Sequence, residues 1–211
     1  MAETPDGIRI RPLAPGDWDG VVALEERAYA ASGLSEGRAA LESRGRASPD
    51  TCFALEYRGR FGGYLLALPY RLHRCPDLSR AEATGPGDPA APPSNMHAHD
   101  LVVAEELRGR GLAPLMLDHL AATARARGFA TVSLVAVRGS DVLWAPLGYR
   151  ADPSVALPAS YGDRAVYMSM SLATGPALPA GPAVPASSAL PTATPRTSGL
   201  LAGSAPRVEV G

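Results

Sequence analysis

The chain has 211 residues, 46% of them hydrophobic, which suffices for one packed domain and leaves little room for a second. Its 20 basic and 21 acidic side chains nearly cancel. Because there is no basic excess, neither nucleic acid nor an anionic membrane surface is an expected partner, and binding must depend on a local site.

The first third of the chain predicts a strand, two helices and a hairpin. Residues 8–13 alternate apolar and charged side chains, which is the period of a half-buried strand. Asp17 is a candidate N-cap for the first helix, and a second, shorter helix follows Ser35 and is closed by Gly45 and Pro49. Two β-prone runs then flank a turn at residues 58–60, which predicts a hairpin.

Glycine and proline mark irregular segments in the middle of the chain. Gly62 and Gly63 weaken the second strand of the hairpin and indicate a bulge. Residues 71–94 lose periodicity and fill with Pro and Gly, so we expect a mobile loop between strands. This loop is interpreted either as a plain spacer or as a cover over a substrate.

The second half of the domain predicts strands that alternate with helices. Residues 96–103 and 131–137 are β-prone runs, and residues 112–127 between them place apolar side chains on one helical face. Ser140 is positioned to cap a short fourth helix, and residues 165–172 supply a last alternating strand.

The composition changes abruptly after Leu172 to Ala, Pro, Gly, Ser and Thr. Such a segment cannot bury a core, so we expect a folded domain over residues 1–172 and a disordered tail over residues 173–211. The tail is interpreted as plain solvated chain, with a polyproline segment that binds a partner as the alternative.

Cysteine usage and the N-terminal residues indicate a soluble cytoplasmic protein. Cys52 and Cys75 lack CxxC spacing and further pairs, which does not suit a disulfide framework. Residues 1–7 lack an apolar signal core, and no run reaches the roughly 20 apolar residues of a membrane span. Every basic side chain is Arg, which together with abundant Ala, Gly and Pro favours a GC-rich bacterial origin.

The loop before the long helix carries the strongest functional signal. Its residues are Arg108, Gly109, Arg110, Gly111, Leu112 and Ala113. Glycines let successive backbone N–H groups turn toward one point, and the helix N-terminus adds partial positive charge. This predicts a pyrophosphate site, with a strand-to-helix turn carrying solvated arginines as the alternative.

The same loop resembles the Q/R-x-x-G-x-G/A signature of the GNAT family of N-acetyltransferases. Downstream, Trp144-Ala145-Pro146-Leu147-Gly148-Tyr149 resembles the family's aromatic-x-x-Leu-Gly-Phe/Tyr motif. The resemblance is specific over residues 97–150 and extends by element order over residues 8–172. It implies an α/β (α+β) fold with a mixed, mostly antiparallel sheet, splayed fourth and fifth strands, and about four flanking helices.

The resemblance also implies acetyl-coenzyme A as co-substrate, with no metal. The splayed strands would leave the backbone of Leu101, Val102 and Val103 free to pair with the pantetheine arm. Residues 108–113 would hold the pyrophosphate, and Ser140 and Trp144 would line the other side of the arm. The acyl group itself could be longer than acetyl.

The reaction that the resemblance implies is direct attack by a neutral amine on the thioester in a ternary complex, assisted by a general base and a general acid. The candidate bases are His97, His99 and Asp100, and period 2 predicts both histidines on one face of the strand and Asp100 on the other. A structural role for each histidine and a metal site built from the three residues are the alternatives.

The family often has a Tyr acid at the position of Trp144, and an indole has no proton to give. Water or Tyr149 would then protonate the thiolate, or no acid is needed. The predicted function is transfer of an acetyl group from acetyl-coenzyme A to the amine of a small molecule. The alternatives are a non-catalytic acyl-coenzyme A sensor and a protein N-acetyltransferase, and because dimers are frequent among similar proteins a homodimer is a candidate assembly.

Overall fold

The structure, a computed structural model, describes residues 7–82 and 93–172. The predicted tail over residues 173–211 and residues 83–92 of the predicted loop lie outside the described residues.

The described residues form seven strands and four α-helices. The strands are β1 (Ile8–Pro12), β2 (Phe53–Tyr57), β3 (Arg60–Tyr70), β4 (Asn95–Val103), β5 (Thr131–Ala136), β6 (Arg150–Asp152) and β7 (Val166–Ser171). The helices are α1 (Trp18–Tyr29), α2 (Arg38–Ala47), α3 (Leu112–Ala126) and α4 (Asp141–Trp144). The predicted order of elements is confirmed.

The hairpin between β2 and β3 has the predicted turn and bulge. Arg58 and Gly59 both adopt positive φ, of 51° and 73°, as a two-residue hairpin turn requires. Leu55 of β2 pairs with Gly63 of β3, but the next residue, Glu56, pairs with Phe61. Gly62 is therefore the extra residue of a bulge in β3. A Cβ on Gly62 would lie 2.5 Å from a methyl carbon of Leu107, so packing as well as the bulge requires glycine here.

Of the two residues predicted to close the second helix, Gly45 does not do so. It lies within α2, which continues to Ala47 and ends before Pro49, the other predicted closing residue. A Cβ on Gly45 would lie 2.5 Å from the Trp18 ring of α1. The glycine therefore permits close packing of the two helices rather than ending one of them.

The described strands form one sheet with the order β1-β2-β3-β4-β5-β7-β6, and among them only β4 and β5 pair in parallel. These two strands pair only from Asn95 with Thr131 to Ala98 with Leu134. Beyond Ala98, β4 continues to Val103, and among the described strands it pairs there with β3 only. The strands therefore diverge and leave a cleft, which confirms the predicted splay.

A second bulge lies in the middle of β4. Its register with β3 passes from Ala98 opposite Ala67 to Asp100 opposite Leu66, so His99 is the extra residue. A bulge interrupts the alternation of side chains along a strand. As a result His99 and Asp100 line the same cavities, and the predicted placement of Asp100 on the face opposite His99 is wrong.

The core lies between the sheet and the helices. Its largest fully buried apolar side chains are Tyr64, Tyr167, Leu41, Leu55, Leu65, Leu66, Met96, Met116, Leu120 and Met168. Within residues 7–82 and 93–172, no helix has the length and apolar character needed to cross a membrane.

Candidate active site

Two cavities meet where β4 and β5 diverge. The first, the strand cleft, has about 410 Å³ of open space and is walled by Leu101, Leu134, Ser140 and Trp144 among others. The second, the side pocket, has about 370 Å³ of open space. The residues that line only the side pocket are Glu25, Leu34, Glu36, Leu78 and Tyr161.

The two cavities share one wall. The residues that line both are Tyr29, His99, Asp100, Val135 and Val137. Tyr29 comes from the end of α1, His99 and Asp100 come from the bulge of β4, and the valines come from β5 and the residues after it. A group on this wall is within reach of a ligand in either cavity, so a reaction between two substrates would take place here.

Asp100 is held by two tyrosines. The Tyr29 hydroxyl donates to one carboxylate oxygen at 3.0 Å, and the Tyr64 hydroxyl donates to the other. Burial raises the pKa of Asp100 to about 6, although nearby His99 and the two phenols act in the opposite direction. Asp100 is therefore a carboxyl group that changes protonation state close to neutral pH.

His99 is oriented by a buried carboxylate. Its Nε2 lies 2.5 Å from Oε1 of Glu36, and the imidazole is only 1% exposed. Burial alone would raise the pKa of Glu36, but hydrogen bonds from His99 and Arg44 outweigh it and place the pKa below its usual range. The carboxylate thus stays ionised and favours a proton on Nε2 of His99.

The two imidazole nitrogens of His99 have different environments. Nδ1 of His99 is buried and has no hydrogen-bond partner among the described residues. With the proton on Nε2, Nδ1 carries a lone pair. A buried imidazole with one nitrogen fixed by a carboxylate and the other unpartnered is the arrangement expected of a general base.

Arg44 connects this pair to the segment after β3. Its guanidinium is fully buried and contacts Glu36 on one side and Glu82, at 3.0 Å, on the other. It also donates to the main-chain oxygens of Asp77 and Arg80 at 3.1 and 3.2 Å. The described part of the predicted loop is therefore attached to α2, and its Leu78 lines the side pocket.

His97 occupies a different environment. It is fully buried, its Nδ1 lies 2.9 Å from the Ser133 hydroxyl, and its ring stacks on Tyr167 with the centroids 6.2 Å apart. Burial lowers its pKa well below the usual value, so the imidazole is neutral. His97 is not among the residues that line the strand cleft or the side pocket.

The glycine loop has the backbone shape that a phosphate site requires. Gly109 and Gly111 adopt positive φ, of 74° and 71°, and a Cβ on either would meet no atom within 4 Å. Gly111 directly precedes α3, whose first backbone amides have no acceptor within the helix. Arg108 and Arg110 are exposed beside this turn, so the loop offers amides, positive charge and open space for an anion.

The aromatic residues near α4 differ in their access to the cleft. Trp144 lines the strand cleft and donates from Nε1 to the Ser140 hydroxyl at 3.3 Å. Tyr149 is 3% exposed, its hydroxyl has no partner among the described residues, and burial raises its pKa. Tyr149 is in the core and is not among the residues lining either cavity.

Five polar residues at the site were not predicted from the sequence. They are Glu25, Tyr29, Glu36, Tyr64 and Tyr161. A helical position on the same face as the apolar residues Val21 and Leu24 is the only local signal for Glu25. Among residues 7–82 and 93–172, no group of three or more His, Cys, Asp or Glu side chains is placed to hold a metal ion.

A sheet that opens between two parallel strands, followed by a glycine loop at a helix N-terminus, defines the architecture of the N-acetyltransferases. Residues 18–145 match the family model described as the Acetyltransferase (GNAT) family. Because this match spans more than half of the chain, the protein belongs to the GNAT family.

Solved structures of the same fold have diverse activities. GphF, a GNAT-like decarboxylase in complex with isobutyryl-CoA, is 22% identical with a TM-score of 0.63, over 78% of this chain and 100% of its own. N-acetylglutamate synthase from Neisseria gonorrhoeae, complexed with coenzyme A and N-acetyl-glutamate, is 18% identical with a TM-score of 0.59. The match covers 79% of this chain and 35% of the synthase chain. The ribosomal-protein-S18-alanine N-acetyltransferase from Escherichia coli is 15% identical with a TM-score of 0.55. The match covers 79% of this chain and 95% of that enzyme's chain. No curated protein matches the sequence significantly.

Proposed function

We propose that the protein transfers an acetyl group from acetyl-coenzyme A to the amine of a small molecule, with His99 as general base. The observation that carries this proposal is the wall shared by the two cavities. His99, whose Nδ1 has no hydrogen-bond partner among the described residues, lines this wall between the side pocket, which would hold the amine, and the strand cleft, which would hold the thioester.

The residues that would hold the co-substrate fit an acyl-coenzyme A. Divergence of β4 from β5 leaves Leu101, Val102 and Val103 without a partner strand on the β5 side, as an arm that binds by main-chain hydrogen bonds requires. The amides of residues 108–113 are suited to the pyrophosphate, and Ser140 and Trp144 face the cleft. Acetyl-coenzyme A would supply an acetyl group already activated as a thioester.

In this reaction His99 would accept a proton from the acceptor amine. An ammonium ion must lose one proton before its nitrogen can attack, and Nδ1 of His99 accepts that proton. The nitrogen then bonds to the carbonyl carbon as the carbon–sulfur bond breaks. The amine's second proton is released, and the departing thiolate takes up one proton from His99 or from water. The products are an N-acetylated amine and coenzyme A.

The form of the side pocket favours a small acceptor over a protein chain. It has about 370 Å³ of open space and is walled in part by Leu78 of the segment attached to Arg44. Because side chains from α1, β4, β5 and the segment after β3 surround this pocket, it suits a small molecule better than an extended chain.

The test is release of free thiol from acetyl-coenzyme A in the presence of a panel of small amines. His99→Gln is expected to lower kcat by about 10²- to 10⁴-fold, the usual contribution of a general base. The matched control is His119→Gln, because His119 of α3 packs on Phe53 and is not among the cavity-lining residues. Full activity of His99→Gln together with loss in Asp100→Asn would assign the base to Asp100 instead.

A non-catalytic acyl-coenzyme A sensor is the second candidate, favoured by Trp144 at the position where the family often has a Tyr acid. Calorimetric titration with acetyl-coenzyme A separates the two functions. Tight binding without thiol release from any amine would support the sensor, whereas absence of binding would contradict both candidates.

A further inference from the structure

We infer that the side pocket selects small primary amines that have an apolar body and carry no carboxylate. This inference rests on the proposed function, because it names the class of acceptor for the same site.

The charged side chains around the side pocket are unbalanced. Its lining includes three carboxyl groups, those of Glu25, Glu36 and Asp100, all largely buried. No Arg is among the residues that line it within the described chain. In a site of low dielectric, such a lining attracts an ammonium group and repels a second carboxylate on the ligand.

Within residues 7–82 and 93–172, only one of the three carboxylates forms an ion pair with an Arg. Glu36 is paired with Arg44. The two oxygens of Glu25 accept instead from neutral donors, the Glu36 backbone N–H and the Ser35 hydroxyl, each at 2.7 Å. Asp100 likewise accepts from two phenols. Buried anions are usually paired, so a cation from the ligand would complete this pocket.

The remaining wall is apolar or aromatic. It consists of Leu34, Leu78, Val135, Val137 and the rings of Tyr29 and Tyr161. These side chains would contact a hydrocarbon or aromatic body, and none of them carries a positive charge that could pair with a carboxylate on that body.

The position of His99 fixes which end of the ligand is recognised. His99 lines the wall that the two cavities share, and its buried Nδ1 has no hydrogen-bond partner among the described residues. An amine nitrogen is the part of an acceptor that this lone pair would engage. The apolar body would then point away from the strand cleft, toward Leu34 and Leu78.

The experiment compares two matched probes, 2-phenylethylamine and phenylalanine, which differ by one carboxylate. Acetylation is followed as thiol release, and binding is followed separately by calorimetry with each probe. The expected kcat/KM for 2-phenylethylamine exceeds that for phenylalanine by about 100-fold or more, because a like charge costs several kcal/mol at a buried site.

A matched pair of variants tests the role of the pocket charge. Glu25→Gln keeps an acceptor for the Glu36 N–H and a partner for Ser35 but removes the charge. It should raise KM for 2-phenylethylamine about tenfold and reduce the preference over phenylalanine, with kcat little changed. Glu26→Gln removes a charge from the exposed neighbouring position of α1 and should change neither value.

The outcomes separate this inference from the proposed function. Acetylation of phenylalanine as efficiently as 2-phenylethylamine would overturn the inference while the function stands. Binding of 2-phenylethylamine that weakens in Glu25→Gln, without thiol release, would support the inference while the function fails. Absence of both binding and turnover with 2-phenylethylamine would overturn the inference.

Discussion

Glu36 acts on the reaction through His99 and is therefore a positioning residue. Its carboxylate fixes Nε2 of His99 at 2.5 Å and so leaves Nδ1 as the basic nitrogen. We expect Glu36→Gln to lower kcat by about 10- to 100-fold and to alter its pH dependence, because a neutral amide donates as well as accepts and no longer fixes one tautomer of the imidazole. Steady-state rates from pH 5.5 to 9 measure both effects.

Because Glu36 also pairs with Arg44, a control must separate kinetics from stability. Glu82→Gln removes the other carboxylate of Arg44 without touching His99. Breaking a buried ion pair costs about 3–5 kcal/mol, so both variants should be less stable to urea. If Glu82→Gln lowered kcat as much as Glu36→Gln does, the loss would reflect the ion pair and not the orientation of His99.

Asp100 makes stability depend on pH. Its pKa is raised by burial to about 6 in the folded chain, against about 3.9 for a free carboxyl. The folded state then binds more protons than the unfolded state between these values, so stability falls as pH rises from about 4 through about 6. The total decrease in the free energy of unfolding is roughly 2–3 kcal/mol. Asp100→Asn should remove this contribution to the pH dependence of stability.

Urea unfolding of the parent chain and Asp100→Asn at pH 5 and pH 8 measures this contribution. The variant's stability relative to the parent should rise between the two pH values, because only the parent then has to ionise a buried carboxyl. A parallel change of both proteins with pH would contradict a raised pKa at Asp100.

At the scale of elements, close packing of α1 on α2 depends on one glycine. A Cβ on Gly45 would lie 2.5 Å from the Trp18 ring, so Gly45→Ala should destabilise the fold by about 1–3 kcal/mol despite the better helix propensity of alanine. Chemical denaturation measures the change. Trp18→Leu removes the clash, so the double variant should show less than the summed cost. An additive double variant would indicate that Gly45 acts through some other contact.

Asp17, the candidate N-cap of the first helix, has a different role in the folded chain. Asp17 does precede α1, as predicted, but its carboxylate does not cap that helix. It pairs with Arg11 of β1 and accepts the Ala14 N–H at 2.7 Å instead. A side chain that suits an N-cap thus joins the strand to the helix, because a nearby guanidinium is a stronger partner for a carboxylate than a backbone amide.

At the scale of the whole molecule, the fold was more predictable from the sequence than the site. Strands, helices and the glycine loop follow from periodicity and turn residues, which are local in sequence. Glu36 lies 63 residues from His99 and becomes its partner only through packing of α2. The bulge that brings His99 and Asp100 together has no glycine to mark it, since it follows from the pairing of β4 with β3.

Two glycines with similar backbone conformations flank α3, one at each end. Gly111 and Gly128 both adopt positive φ, of 71° and 81°, and a Cβ on either would meet no atom within 4 Å. Gly111→Glu and Gly128→Glu therefore impose similar backbone strain and the same charge change on one helix.

Only the first change lies in the loop assigned to the pyrophosphate. Gly111→Glu should weaken acetyl-coenzyme A by about 100-fold or more in calorimetric titration, because it places a carboxylate beside a bound dianion. Gly128→Glu should leave the affinity within about threefold, since field effects across a helix are screened by solvent. Equal weakening in both variants would mean that α3 responds to strain alone and that the anion binds elsewhere. An effect confined to Gly111→Glu would place the diphosphate at the helix N-terminus, where the helix dipole and the free amides act together.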